Sequence, residues 1–178
     1  MIEKLILIFC YRLFFVTKSA CNGSRKRNPK YVDKIKYLYP GSRDFNIRKD
    51  KFSLNKRNKI VFVHAGTLYG SRNLSNFFIA IDKLLDIKFL HEKELEVINI
   101  GAAYIDNIKY SHIRKYFVIK KPLERRELIR YLAGIDYALV VQHHDDFSRD
   151  TIPYKTYDYL NVGVKVFGLT NNKELNLL

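Results

Sequence analysis

From Lys59 onward the chain alternates short apolar runs with amphipathic stretches in a regular way. Residues 60–64 (IVFVH), 94–101 (ELEVINIG), 116–120 (YFVIK), 135–141 (IDYALVV) and 164–170 (VKVFGLT) are brief, β-rich and nearly continuous in apolar character. That is the signature of parallel strands buried on both faces. Between them, residues 74–85 place Leu74, Phe77, Phe78, Ile81, Leu84 and Leu85 at helical spacing. A second helix is expected at about 123–133, opened by Pro122 and Glu124, and a third within 152–163, stopped by Gly163. Strands alternating with helices predict an α/β fold: a Rossmann-like parallel sheet flanked by helices, with right-handed crossovers. Ligands of such sheets bind at the carboxyl ends of the strands. The loops near 65–73, 120–124 and 142–155 are therefore the ones to inspect.

The leading third is different. Residues 5–16 (LILIFCYRLFFV) are apolar apart from Arg12, too short for a bilayer span. They have the look of a secretory h-region, but Lys18 at the −3 position before Ala20 opposes cleavage. A buried strand or helix is expected instead. Residues 22–31 (NGSRKRNPKY) have the composition of a loop, 35–41 (IKYLYPG) read as a short strand running into a turn, and 42–58 as a polar, basic linker. The sequence thus divides into residues 1–58 and an α/β unit at 59–178.

Of the net charge of +14, residues 1–60 carry +12, from 16 basic and 4 acidic side chains. Such a stretch can bind nucleic acid, lie on an anionic membrane, or be plain solvated surface. Nucleic acid is disfavoured, because the basic residues are scattered and match no recognition motif. Cys10 and Cys21 form no CxxC pair and do not group with the five histidines, so no metal site is expected. Two cysteines without a disulfide framework suit a reducing compartment, and the expected location is cytoplasmic, with the inner membrane face open to the basic stretch.

Two segments carry candidate chemistry. The loop AGTLYGSRN (65–73) joins a buried strand to a helix and contains Gly66, Thr67, Tyr69, Gly70 and Arg72. Helix starts attract anions, glycine admits a phosphate close to the backbone, and arginine contacts phosphate oxygens in pairs. The spacing is neither of the common phosphate-loop motifs, and a plain strand-to-helix turn explains the glycines equally well. The second segment runs from Asp150 to Gly163. Lys155 and Asp158, three apart on a helix, are able to face each other, which suits either an ordinary ion pair or a lysine for a diphosphate beside a carboxylate for a ribose.

In order and spacing, four segments resemble the C-terminal domain of family-four retaining glycosyltransferases of the GT-B fold: KIKYLYPGSRDF (34–45), IVFVHAGTLYGSRNLSNFFIAIDKL (60–84), YFVIKKPLERRELIRYLAGIDYALVV (116–141) and IPYKTYDYLNVGVKVFGLT (152–170). VTKSACN (16–22) resembles a strand-to-helix segment near the end of the family's other domain. The resemblance implies the donor-binding half of an enzyme that moves a sugar from a nucleotide-diphosphate sugar to a glycan or lipid-linked acceptor, with no metal and no other cofactor. It implies that Gly66, Gly70 and Arg72 hold the diphosphate, that Lys121, Pro122 and Leu123 line the base pocket, and that Asp158 grips the ribose. Asp150, Asp158, Arg72 and Lys155 then form the catalytic set, with Asp150 on the sugar. The family has glutamates where Asp150 and Asp158 stand, and its pattern also departs at Thr67, Tyr154 and Lys165. The family further has an N-terminal Rossmann-like domain and a closing strand and helix. Their counterparts are expected to be missing here, leaving a nucleotide- or anion-binding module without transfer activity as the alternative.

Overall fold

The computed structural model describes residues 2–42, 58–104, 113 and 115–177. The expected linker therefore lies, from 43 to 57, outside the described residues. The five expected strands all form: β3 (Ile60–Ala65), β4 (Leu95–Ile100), β5 (Phe117–Lys120), β6 (Tyr137–Val141) and β7 (Lys165–Leu169). They make one parallel sheet in the order β5-β4-β3-β6-β7. The order reverses between β3 and β6. At such a switch point the loops leaving two neighbouring strands diverge to opposite faces and open a crevice.

Helices cover both faces. α3 (Ser75–Asp86) lays Phe77, Phe78 and Ile81 on one face, against Val97, Leu139 and Val141. α4 (Arg125–Leu132) and α6 (Lys155–Val162) bury Ile129, Leu132, Tyr157, Tyr159 and Val162 on the other, against Val61, Val63, Ile98 and Val140. Alternate residues of each strand thus feed different layers, which is why the strands read as unbroken apolar runs. A short α5 (Asp146–Arg149) sits in the loop after β6. Gly163 ends α6 in the left-handed conformation (φ 66°), which a residue with a Cβ adopts only at a cost.

The leading residues depart from expectation in two ways. Residues 5–16 do not form a buried element. They divide between a helix, α1 (Ile2–Phe9), and a short strand, β1 (Leu13–Phe15). Of α1 only Leu7 is buried, and Phe9 is 85% exposed. Residues 22–31 are no loop either: helix α2 (Lys18–Arg27) runs through them and stops before Pro29. Its start is fixed by the Thr17 side chain, which accepts from the Ala20 amide. β2 (Ile35–Tyr37) forms as expected and pairs in parallel with β1. Leu7, Cys21 and Ile35 are the small core of this unit.

Glu174 is one of the residues that join the N-terminal unit to the larger one. Its carboxylate accepts from the Lys18 amide at 2.7 Å, the Ser19 amide at 2.9 Å and the Tyr39 hydroxyl at 2.5 Å. Burial acts to raise the Glu174 pKa, but these hydrogen bonds override it and hold the carboxyl below its usual value. Burial and the same carboxylate push Tyr39 up to about 12. No helix among the described residues is long and apolar enough to cross a membrane.

Candidate functional site

The switch point brings together the ends of β3 and β6 and the start of α6. Lys155 is the first residue of α6, and its side chain reaches back over the end of β3. The ammonium donates to the Ala65 carbonyl at 3.0 Å and to His64 Nε2 at 2.8 Å. Directly above lies Gly66 at φ 136°: a methyl group there would come within 3.6 Å of Lys155 Nζ. Glycine at this position lets another group approach the lysine across the backbone.

Arg72 closes the other side. The loop after β3 folds into a tight turn in which Tyr69 and Arg72 exchange backbone hydrogen bonds of 2.9 and 3.0 Å across Gly70 (φ 54°). The Arg72 guanidinium lies 5.9 Å from the Tyr69 ring, and its buried Nε has no hydrogen-bond partner. Burial and the nearby Arg72 charge push the Lys155 pKa down to about 7. Two cations thus repel each other here, and no carboxylate among the described residues pairs with either. The backbone contributes less than the sequence implied. The amides of Gly66, Leu68, Tyr69 and Arg72 are all spent on carbonyls. The amides of Thr67, Gly70 and Ser71 remain, beside the two side chains, to attract an anion.

Asp158 sits one turn along α6 but does not face Lys155, contrary to what the spacing allowed. It is turned to α4, where Oδ1 accepts from Arg125 at 2.8 Å, and from Ser42 at 2.6 Å. Oδ2 has no hydrogen-bond partner among the described residues. Arg72, in the loop after β3, and Asp158, in the first turn of α6, both lie at the carboxyl end of the sheet. Leu123 packs on the core beside α4, while Lys121 and Pro122 are exposed at the end of β5. Thr67 and Tyr69 are exposed on the first loop. Tyr154 is exposed too, and its hydroxyl donates to the Gly41 carbonyl at 3.0 Å.

Asp150 lies apart from Arg72, Lys155 and Asp158, against the start of α2. It is exposed and accepts a short hydrogen bond from the Ser19 hydroxyl, while its carbonyl accepts from Thr17 at 2.6 Å. With Lys18, Asn22, Arg149, Lys173 and Glu174 it lines a cleft of about 590 Å³ between α2 and the segments that follow β6 and β7. The sequence reading missed His64, Asn99 and Arg125. A signal for the first two existed: both are polar residues interrupting central apolar strands near their carboxyl ends. No group of three or more metal-ligating side chains occurs among the described residues.

No family model matches the chain, and no curated protein does. Solved structures do. The pneumococcal O-GlcNAc transferase GtfA, solved with UDP and GlcNAc, aligns with a TM-score of 0.60 at 13% identity over 89% of this chain and 30% of that one. A UDP-forming α,α-trehalose-phosphate synthase from Burkholderia xenovorans gives 0.59 at 16% identity over 90% of this chain and 46% of its own. The α,α-trehalose 6-phosphate synthase of Burkholderia multivorans gives 0.61 at 12%, over 90% and 44%. The chain spans less than half the length of each. At such identities the likeness is one of fold, and the fold is the Rossmann-like α/β architecture of GT-B glycosyltransferase domains.

Proposed function

We propose that the chain is the donor-binding half of a glycosyltransferase that uses a nucleotide-diphosphate sugar. The observation that carries this reading is the unneutralised pair Arg72 and Lys155 at the switch point of the sheet. Keeping two like charges together without a counter-ion costs folding free energy, and a bound anion recovers it. A diphosphate seated over Gly66 meets both cations. Asp158 Oδ2 is then open to a ribose hydroxyl, and Leu123 with Pro122 and Lys121 flanks the base. As the glycosidic bond breaks, charge grows on the departing diphosphate, and Lys155 and Arg72 stabilise it by being already in place. The resemblance assigns Asp150, in the cleft beside Ser19, to the transferred sugar. Transfer with retention to a glycan or lipid-linked acceptor follows from the family resemblance. The structural match over 90% of the chain supports reading the first 58 residues as the edge of an acceptor-side domain, since residues 59–178 make up only about two-thirds of it.

Calorimetric titration with UDP, GDP and their sugars tests the proposal. Binding at micromolar to sub-millimolar concentration, weakened at least about tenfold in Arg72→Ala and Lys155→Met, is the expected result. No binding of any of them at millimolar concentration ends it. A chain that binds but shows neither transfer nor donor hydrolysis is the nucleotide-binding module without activity.

A further inference from the structure

His64 bonds to the Lys155 ammonium, and Asn99 reaches that ammonium only through His64. Both are completely buried, and they stand opposite each other in the register of β3 and β4. Strand alternation places them on the α3 side of the sheet, one residue before each strand ends. A buried imidazole and amide have no fixed direction of donation by themselves. Here the backbone fixes it. The Gly101 carbonyl accepts only, and Asn99 Nδ2 donates to it at 2.8 Å. Asn99 Oδ1 is therefore the atom facing His64 Nδ1, at 2.6 Å, and Nδ1 carries the proton. Burial, then the charges of Lys155 and Arg72, push the His64 pKa down to about 3, so the ring stays neutral and Nε2 keeps its lone pair. Lys155, which as an ammonium only donates, meets that lone pair at 2.8 Å.

We infer that His64, backed by Asn99, is the positioning residue for the lysine of the diphosphate site. It is a neutral acceptor of fixed polarity that holds the ammonium beneath Gly66 without cancelling its charge. A carboxylate at position 64 would hold the lysine and neutralise the site. An apolar side chain would leave one of the ammonium hydrogens unpaired. The inference rests on the diphosphate reading and adds the residues through which Lys155 acts.

Two measurements on the full chain test it. The first needs no nucleotide. In ¹⁵N-resolved NMR of the imidazole, His64 should show a protonated Nδ1 and a bare Nε2, unchanged from pH 5.5 to 8. In His64→Phe the titration midpoint of Lys155, followed at its Cε, should move down because the charged form has lost an acceptor. A protonated Nε2 in the wild type, or an unmoved Lys155 midpoint, overturns the inference even if no nucleotide binds. The second uses UDP-glucose. Asn99→Asp keeps the shape but draws a second proton onto His64, turning Nε2 into a donor aimed at Lys155. It and His64→Phe should each weaken binding about tenfold or more, while His64→Gln, which retains an oxygen acceptor, should stay within about threefold. Unchanged affinity in both of the first two variants, with the wild type binding, overturns the inference and leaves the diphosphate reading intact.

Discussion

Raising the pH should weaken nucleotide-sugar binding while stabilising the empty protein. Both effects come from Lys155, whose pKa of about 7 lies well below the ordinary lysine value of about 10.4. The groups facing its ammonium are His64 from β3 and Arg72 from the following loop, whereas Asp158 on its own helix is taken by Arg125. His64 does not change charge between pH 6 and 8, because its pKa is pushed down to about 3. If the ligand needs the ammonium, the apparent Kd rises relative to its acid limit by about twofold at pH 7 and about elevenfold at pH 8. The stability slope has the opposite sign. The folded pKa is below the unfolded one, so between about 7 and 10.4 the unfolded chain binds the extra proton and stability climbs with pH. The ligand should be UDP-glucose and not UDP, whose terminal phosphate titrates near pH 6 and adds its own slope. Calorimetry from pH 5.5 to 8.5 at fixed ionic strength reads the affinity, and urea melts read the stability. Lys155→Met should bind weakly with no pH slope and should be more stable than the wild type at neutral pH. His143 bonds to Ser71 of the loop after β3 at 2.8 Å, and His143→Gln should leave the slope in place. A wild-type affinity that is flat from pH 6 to 8 refutes the reasoning.

Asp158→Ala should weaken UDP at least tenfold and leave inorganic pyrophosphate within about twofold, because the carboxylate is assigned to the ribose and not to phosphate; equal losses for both ligands would contradict that assignment. Glu174→Gln should cost about 2 kcal/mol in urea denaturation at pH 7, the scale of a hydrogen-bonded buried charge. Its folded pKa is depressed, so the wild-type advantage is complete above about pH 4.5 and should vanish as the pH falls through the folded value. Gly101→Ala should destabilise by about 2–4 kcal/mol, read as a fall in Tm, since Gly101 has φ 136° and a Cβ would sit 2.6 Å from the Gly66 carbonyl oxygen.

The sheet was legible because its strands are buried on both faces, and a run such as IVFVH has no solvated side to disguise it. The end of α6 was legible in Gly163, whose left-handed conformation is a local matter. α2 was hidden, because Asn22, Gly23, Ser24 and Asn28 all argue against a helix. What overrides them is partly remote: the first amides of α2 are capped by Glu174, more than 150 residues later. α1 shows a different limit. Its apolar run foretells a regular element but not what covers it, and Ile2, Leu5, Ile6, Ile8 and Phe9 stand largely exposed. At the site, residue types and loop positions could be read for Arg72, Lys155 and Asp158. Their pairing could not, since it depends on how α4 docks against α6.

That docking explains how the site keeps its charge. Lys155 and Asp158 are one helical turn apart, a separation at which opposite charges ordinarily meet. Had they met, the lysine would be neutralised within its own helix, and a diphosphate would have to displace a carboxylate to reach it. Arg125 removes this competition by taking the Asp158 carboxylate from the side, with Ser42 on the same oxygen. The acid is thereby held off the lysine, yet its second oxygen remains available. The acceptor that Lys155 needs in place of an acid is the neutral pair of His64 and the Ala65 carbonyl. Removing the latch should therefore damage a part of the site that Arg125 never touches. In Arg125→Ala the freed carboxylate should turn to Lys155, raise the lysine's titration midpoint, and weaken pyrophosphate as well as UDP. A lysine midpoint that stays where it was in that variant would show that helix geometry alone, and not Arg125, keeps the two charges apart.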